Sequence, residues 1–373
     1  MINIIMYPNK KLTADKRELL NLNVKYTYSA IPRNTNLGNY IEIDKVKNKI
    51  EKVDQTDWTR VRKYTNKYEA PLYNSPRKVI SRAFYKLWEL MHDYNIQCNG
   101  ETLHLCDAPG GFIQAVIDYK TMKYNNIKKC HTISLTHKTD LNVPRYHQLI
   151  KNNVNVNILN EYNGDITNPN THLSILKSLN GKAITFVSAD GGMTENGDYN
   201  NKENIHTQLI LCQVFTTCLV LQQGGSFILK IFDIYTDATV HIIYLLMTVF
   251  DTVEIVKPLT SRPTNSEKYL VCKGYHKEFF STSMKNSLYR CIKIMYDNPL
   301  LNIYKLFDDV VVYDVFDRLY NDIYSYNTDF ITQQIKHIET NLNLLKTKKS
   351  SNYTYNYRNQ FSKEWLLKYK LIR

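Results

Sequence analysis

Lys230 is embedded in Phe227-Ile-Leu-Lys-Ile-Phe232, an apolar run with large side chains on both sides. A lysine in such a run pays desolvation unless it is paired, and desolvation predicts a lowered pKa. A buried lysine flanked by carboxylates can steer or accept a hydroxyl proton. Three further charges are candidates to share that chemistry. Lys86 lies on an expected amphipathic helix over 81–90, with Leu87 and Leu90 on its apolar side. Asp190 ends an expected β-branched strand, and Glu267 follows Ser261-Arg-Pro-Thr-Asn-Ser266 and opens another. Taken singly, Asp190 also fits a turn cap, Lys86 a surface position and Glu267 an edge charge. Lys230 alone argues for chemistry from its immediate neighbours.

A second feature is Asp107-Ala-Pro-Gly-Gly-Phe112, which joins an expected strand to an expected helix. Two glycines let the backbone approach a ligand closely, and a helix amino terminus offers unpaired N–H groups. The turn is not G-x-G-x-x-G, so a dinucleotide pyrophosphate is not its natural ligand, and no Gly-Lys-Ser/Thr follows as in a P-loop. It suits a smaller nucleoside ligand carrying a carboxylate, such as S-adenosylmethionine. A purely structural turn fits the same residues.

Positioning these groups falls to an alternation of short apolar runs and amphipathic stretches. Strands are expected over 102–106, 131–135, 154–159, 183–188, 226–232, 253–257 and 268–273. Helices are expected over 111–119, 173–179, 202–223 and 238–250, the third closed by Gly224-Gly225. Strands separated by helices imply a parallel sheet covered on both faces, with ligands at the carboxyl ends of the strands. The candidate residues fall at those ends, apart from Lys86 on the helix before the first strand.

The 373-residue chain carries 48 Lys and Arg against 35 Asp and Glu, a formal charge of +13. Up to Leu90 there are 18 basic and nine acidic residues, so +9 of the excess precedes the ordered alternation. That balance suits a polyanionic partner. The stretch from Thr59 to Tyr68 interleaves cations with tyrosines, as phosphate neutralisation and base stacking require, although a solvated basic face has the same composition. Seven scattered cysteines without C-x-x-C spacing point away from zinc and from a disulfide framework, and toward a reducing compartment. The most apolar later run, 209–221, contains Gln213, Thr216 and Thr217 and reads as a buried helix rather than a membrane span. Residues 1–7 are apolar but short for a signal sequence, and Lys10 and Lys11 lie on the wrong side of them. A soluble intracellular protein is expected.

Six blocks in one order carry a resemblance: Ser81-Arg-Ala-Phe-Tyr-Lys86, Ala108-Pro-Gly-Gly-Phe112, Gly164-Asp-Ile-Thr167, Ser188-Ala-Asp-Gly-Gly192, Ile228-Leu-Lys-Ile-Phe232 and Ser261-Arg-Pro-Thr-Asn-Ser-Glu-Lys-Tyr-Leu-Val271. In these the chain resembles the FtsJ/RrmJ-like RNA ribose 2′-O-methyltransferases, nearest to the cap-specific mRNA (nucleoside-2′-O)-methyltransferases, including those of large DNA viruses. The resemblance spans about residues 60–275. It implies an α/β fold, Rossmann-like class I, with a mostly parallel seven-stranded sheet, helices on both faces and a helical C-terminal extension.

The resemblance implies S-adenosyl-L-methionine as cofactor, no metal, and RNA, in particular capped mRNA, as substrate, with other capping or transcription proteins as candidate partners. It places the protein in the host cytoplasm if viral and in the nucleus if cellular. The family's Lys-Asp-Lys-Glu tetrad carries over to Lys86, Asp190, Lys230 and Glu267. The cofactor site carries over to Ser81, Asp107, Pro109, Gly110, Gly111, Phe112, Asp165 and Ile166. Departures are His104, where the family often has an acid, Asp107 at a position usually small, and Leu135-Thr136, where no acid follows the second strand. The expected mechanism has Lys230, with a depressed pKa, orient or deprotonate the ribose 2′-hydroxyl, Asp190 lie near it, and Lys86 and Glu267 complete the network. Arg60, Arg62, Lys63 and Arg262 are phosphate-contact candidates, and the loops over 191–204 and 261–265 are expected to border the RNA. Methylation of ribosomal or transfer RNA, and a silent RNA-binding scaffold, are the rival readings.

Three regions follow from the pattern: an N-terminal extension over 1–57, the methyltransferase-like domain over 58–275, and a helical accessory region over 276–373. The last has helices expected over 279–297, 312–325, 329–345 and 364–372, with an exposed linker over 346–352.

Overall fold

Apolar residues at helical and strand periods divide the middle of the chain, and both kinds of element form where burial rewards them. The computed structural model describes residues 7–12, 22–69, 75–125, 128–137, 140, 142–193, 202–307, 313–347 and 353–372. In chain order its elements are β1 (Lys10–Leu12), β2 (Lys25–Thr27), α1 (Tyr40–Lys47), α2 (Gln55–Thr65), α3 (Ala83–Asp93), β3 (Glu101–Leu105), α4 (Gly111–Tyr124), β4 (Cys130–Ile133), α5 (Gln148–Lys151) and β5 (Val156–Ile158). There follow α6 (Pro169–Ser178), β6 (Ile184–Ala189), α7 (Lys202–Val220), β7 (Leu221–Ile231), α8 (Asp237–Val249), β8 (Phe250–Val256), β9 (Lys268–Tyr275), α9 (Thr282–Asp297), β10 (Asn302–Lys305), α10 (Tyr313–Thr347) and α11 (Tyr353–Lys368).

Eight strands form one sheet in the order β1-β8-β9-β7-β6-β3-β4-β5, and β2 pairs with β10 apart from it. From β5 across to β7 the strands are parallel, β9 runs antiparallel between β7 and β8, and β1 adds to β8. The expected seven strands are present, and the N-terminal segment supplies an eighth at the edge. The chain leaves β3 toward β4 and β5 on one side, then returns through β6 and β7 on the other. The crevice at the carboxyl ends of β3 and β6 is therefore the place where such sheets bind ligands.

Two cores cover the two faces. Phe227, Leu229 and Ile231 of β7 join the core under α7 and α8, whereas Ile228 joins the one under α3 and α4. Period-two alternation thus puts Lys230 on the α3 side. The antiparallel register pairs Lys230 with Tyr269 of β9, which faces the same core. These cores cross residues 57 and 275. Leu12 and Leu37 lie in the first with Leu319, Ile323 and Phe330 of α10, and Trp365 and Leu366 of α11 lie in the second. No helix among the described residues is long and apolar enough to cross a membrane.

Two expected boundaries move. The helix over 202–223 ends at Val220, because Leu221 enters the sheet opposite Ile184 and is buried. Gln222, Gln223 and Gly224 are exposed where the register slips before Ser226, and Gly224 takes φ +76° there rather than closing the helix. The helices expected over 312–325 and 329–345 form one, α10. Asn327 at the expected break is buried and turns its amide to Leu37 O and Ile234 O, so it does not cap a new helix. The end of the expected linker, residues 348–352, lies outside the described residues.

Candidate active site

Lys230 reaches the carboxyl end of β7 with its ammonium donating to the Asp190 carbonyl at 2.7 Å and lying 3.1 Å from Asp190 Oδ1. Lys86, on the first turns of α3, sits 2.6 Å from Glu267 Oε1. The four candidates therefore form two ion pairs, contributed by a helix, two strand ends and the residue that precedes β9. The phenol of Tyr269 joins them. Its hydroxyl lies 3.3 Å from Asp190 Oδ1 and 3.2 Å from Glu267 Oε1, in a ring that is fully buried.

The expected pKa of Lys230 is corrected. Burial lowers it, as anticipated, but the Asp190 and Glu267 carboxylates outweigh burial and raise it above the ordinary lysine value. The reason is charge proximity in a poorly solvated site. Burial likewise pushes Glu267 up, yet Lys86 and Lys230 hold it well below the ordinary glutamate range. These contacts thus favour Lys230 as an ammonium and Glu267 as a carboxylate.

Tyr269 was not singled out from the sequence. Its position two residues after Glu267 on a strand puts both on one face, which is the only local signal. Tyr269→Phe keeps the ring and removes a hydrogen bond to charged groups worth about 1.5–3 kcal/mol. For the methyl transfer that the resemblance implies, the expected outcome is a fall in kcat of roughly tenfold or more with affinity for the implied cofactor retained, read from a steady-state assay and a ligand titration. Lys257 was missed as well. It is buried and donates to Glu267 O at 2.7 Å, Asn265 O at 2.9 Å and Asn265 Oδ1 at 2.8 Å, so it fixes the turn that delivers Glu267. Burial pushes its pKa well down.

The glycine turn meets this site from the end of β3. The Cys106 thiol there lies within electrostatic reach of Lys230, Asp165 and Asp190. Gly110 has φ +114°, and a Cβ on it would lie 2.4 Å from Ile150 Cγ1. A Cβ on Gly111 would lie 2.3 Å from Ser81 Oγ and 2.9 Å from Ala83 Cβ. The glycines thus admit the close approach of the chain's own neighbours. Gly111→Ala is expected to displace the start of α3, cost about 1–3 kcal/mol of stability, and weaken cofactor binding, measured by thermal unfolding and titration.

Several cofactor candidates have structural duties. Asp107 is 3% exposed, and its two carboxylate oxygens accept the Phe112 N–H at 3.0 Å and the Ile113 N–H at 2.7 Å. Asp107 caps α4, because the free amides of that helix start are its nearest donors. Those two amides are in turn not offered to a ligand. Phe112 is fully buried with its ring 6.1 Å from that of Tyr269, and Ile166 is also a core side chain. Pro109 is half-buried, and its carbonyl accepts from His147. Ser81 Oγ is buried at the turn with no hydrogen-bond partner among the described residues. Asp165 Oδ1 accepts the Thr167 N–H at 2.9 Å and the Thr167 hydroxyl at 2.6 Å. His104, at the family's acid position, is buried between Thr102 and Ser188, and burial pushes its pKa down to about 3.

The phosphate candidates divide. Lys63 is exposed, and Arg60 is exposed beside Asp57 on α2, at 2.7 Å. Arg62 is half-buried. Arg262 turns its guanidinium to buried Glu69, donating to both carboxylate oxygens at 3.0 and 3.3 Å, and Glu69 also pairs with Arg82. A buried carboxylate needs such partners. Residues 194–201 of the loop expected beside the site lie outside the described residues. Among the described residues no cluster of His, Cys, Asp and Glu has the makings of a metal site.

Residues 79–275 match the family model of FtsJ-like methyltransferases. The cap-specific mRNA (nucleoside-2′-O-)-methyltransferase 1A of Caenorhabditis briggsae is 33% identical over 179 residues, 47% of this chain and 20% of that protein. The cap-specific mRNA (nucleoside-2′-O-)-methyltransferase 1 of Dictyostelium discoideum is 30% identical over 267 residues, 63% of this chain and 34% of that protein. Thus the aligned region is about a fifth to a third of the length of these relatives. Among solved structures, a putative ribosomal RNA methyltransferase from Plasmodium falciparum is 23% identical with a TM-score of 0.39, covering 52% of this chain and 97% of that one.

Proposed function

Because the chain belongs to the FtsJ-like methyltransferase family, we propose that it is an S-adenosylmethionine-dependent RNA ribose 2′-O-methyltransferase acting on the cap-proximal nucleotide of mRNA. The observation that carries this reading is the pairing of Lys230 with Asp190 and of Lys86 with Glu267 at the ligand-binding end of the sheet. The names of the curated relatives, which act on capped mRNA by those names, support the choice of substrate.

The residues at the turn fit the cofactor: an unpartnered Ser81 hydroxyl, the Gly110-Gly111 approach and the Asp165 carboxylate would hold it. S-adenosylmethionine supplies, when bound, a methyl group already activated on a positively charged sulfur. Lys230 manages the hydroxyl proton of the acceptor sugar. As an ammonium it orients the 2′-oxygen. Any positive charge added beside Asp190 would compete for the carboxylate that sustains the ammonium and lower the Lys230 pKa, so that the ammonium could release a proton to solvent and the resulting amine accept the 2′-hydroxyl proton. Asp190, Glu267, Lys86 and Tyr269 surround the amine as one ion-paired and hydrogen-bonded set.

Mass spectrometry of a short capped RNA after incubation with the protein and methyl donor tests this. One added methyl on the first transcribed ribose is expected, with little on the uncapped transcript. Equal methylation of both RNAs overturns the cap assignment, and no transfer to any RNA overturns the activity.

A further inference from the structure

The ten residues from Pro258 to Glu267 deliver Glu267 to Lys86 without any regular hydrogen-bonded structure of their own. Their own hydrogen bonds are turn contacts, Ser261 N–H to Pro258 O at 2.9 Å, Asn265 N–H to Arg262 O at 3.3 Å and the Ser261 hydroxyl to Glu267 Oε1 at 3.2 Å, and further holds come from outside. Glu89 is 2% exposed and stands three residues after Lys86 on α3. Its Oε1 accepts the Leu259 N–H at 2.6 Å. Its Oε2 accepts the Thr260 N–H at 3.1 Å, the Thr260 hydroxyl at 2.9 Å and the Trp365 indole N–H at 3.3 Å. Trp365 belongs to α11, some 276 residues away in sequence.

We propose that Glu89 is a positioning residue for the methyl-transfer site, completed by Trp365, so that the C-terminal helix α11 is part of the active-site scaffold. This rests on the methyltransferase reading above. Two contacts about one helical turn apart on α3 meet the two ends of a single loop: Glu89 at Leu259–Thr260 and Lys86 at Glu267. They set the separation between helix and loop, and hence the placement of Glu267 against Lys86. Arg82 reinforces the first contact by donating to Thr260 O at 2.7 Å.

The indole N–H closes the arrangement from the far side. Contacts around it seat it there: Trp88 donates to the carbonyl of Tyr369, just past the end of α11, at 2.9 Å, and the Trp365 ring stands edge-on to Tyr85 at 5.6 Å. Packing alone would be served by any large aromatic at 365 and by an amide at 89. Four neutral donors converging on one side chain demand a carboxylate, because a glutamine would turn its own N–H groups toward them.

The test uses the full chain with Trp365→Phe and Glu89→Gln. Steady-state kcat and KM on capped RNA are measured alongside hydrogen–deuterium exchange of the peptide over 258–267. Trp365→Phe is expected to lower kcat about tenfold, and Glu89→Gln about a hundredfold, because small misplacement of reacting groups is costly. KM for the methyl donor stays near wild type, and exchange over 258–267 quickens in both. Wild-type kcat in both variants overturns the proposal, and so does faster exchange with unchanged kcat, which leaves Glu89 with a stabilising duty only. If Glu89→Gln does not fold, Trp365→Phe decides by the same two readouts. If the wild-type protein methylates no RNA, the functional reading falls, while wild-type exchange over 258–267 in the Trp365 variant separately overturns the clamp.

Discussion

Lys230→Ala and Lys230→Met bind the methyl donor and keep the fold, yet lose at least about a hundredfold in methyl transfer, since a positioned proton-handling group contributes roughly 10²–10⁴. Among the described residues the ammonium is the only group that touches both the carbonyl and the carboxylate of Asp190. Methionine fills nearly the same volume, so its loss of rate cannot be assigned to a cavity. Removing the ammonium leaves Asp190 with the Tyr269 hydroxyl as its remaining side-chain partner. Circular dichroism and a ligand titration establish that the variants are folded and loaded, and quantitative methylation of capped RNA gives the rate. A folded, cofactor-binding Lys230→Met within tenfold of wild type removes Lys230 from the reaction.

Glu267→Gln damages both rate and stability. Two cations depend on this carboxylate: Lys86 at 2.6 Å, and Lys230, whose raised pKa Glu267 helps to sustain. Breaking a buried pair by neutralising one partner costs roughly 3–5 kcal/mol, and the loss of alignment is expected to lower kcat by about a hundredfold. The pH dependence has a definite sign. The folded pKa of Glu267 is held below its unfolded value, so its contribution is fully present above pH of about 4.3 and is lost as the pH falls toward the folded value. The gap in stability between wild type and Glu267→Gln is therefore widest near neutrality and narrows on acidification. Denaturant titrations at several pH values measure it, and a gap that widens in acid contradicts the assigned ion pair.

The alternation of elements was legible because it is written in local periods. Ile184–Ala189 and the Phe227–Leu229 part of β7 are buried on both faces, as strands covered by helices on both sides must be. Elements whose identity depends on a distant partner were not legible. β1 is three residues with two lysines and becomes a strand only against Val253–Ile255. The single helix α10 needed Leu37 and Ile234 to absorb the Asn327 amide.

The residue types at 86, 190, 230 and 267, the place of Lys86 on a helix and of the other three at strand ends, and the glycines at 110 and 111 follow from the chain alone, since burial of an apolar strand and the needs of a tight turn are local matters. Tertiary structure decided the charge state of Lys230, which turns on carboxylates contributed from 40 and 37 positions away. It also turned Asp107 into a helix cap, gave Arg262 to Glu69, and brought Tyr269, Lys257 and Glu89 to the site. Coulomb and hydrogen-bond energies fall off over a few ångströms, and distances of that size between residues far apart in sequence exist only after the sheet has closed and its cores have packed.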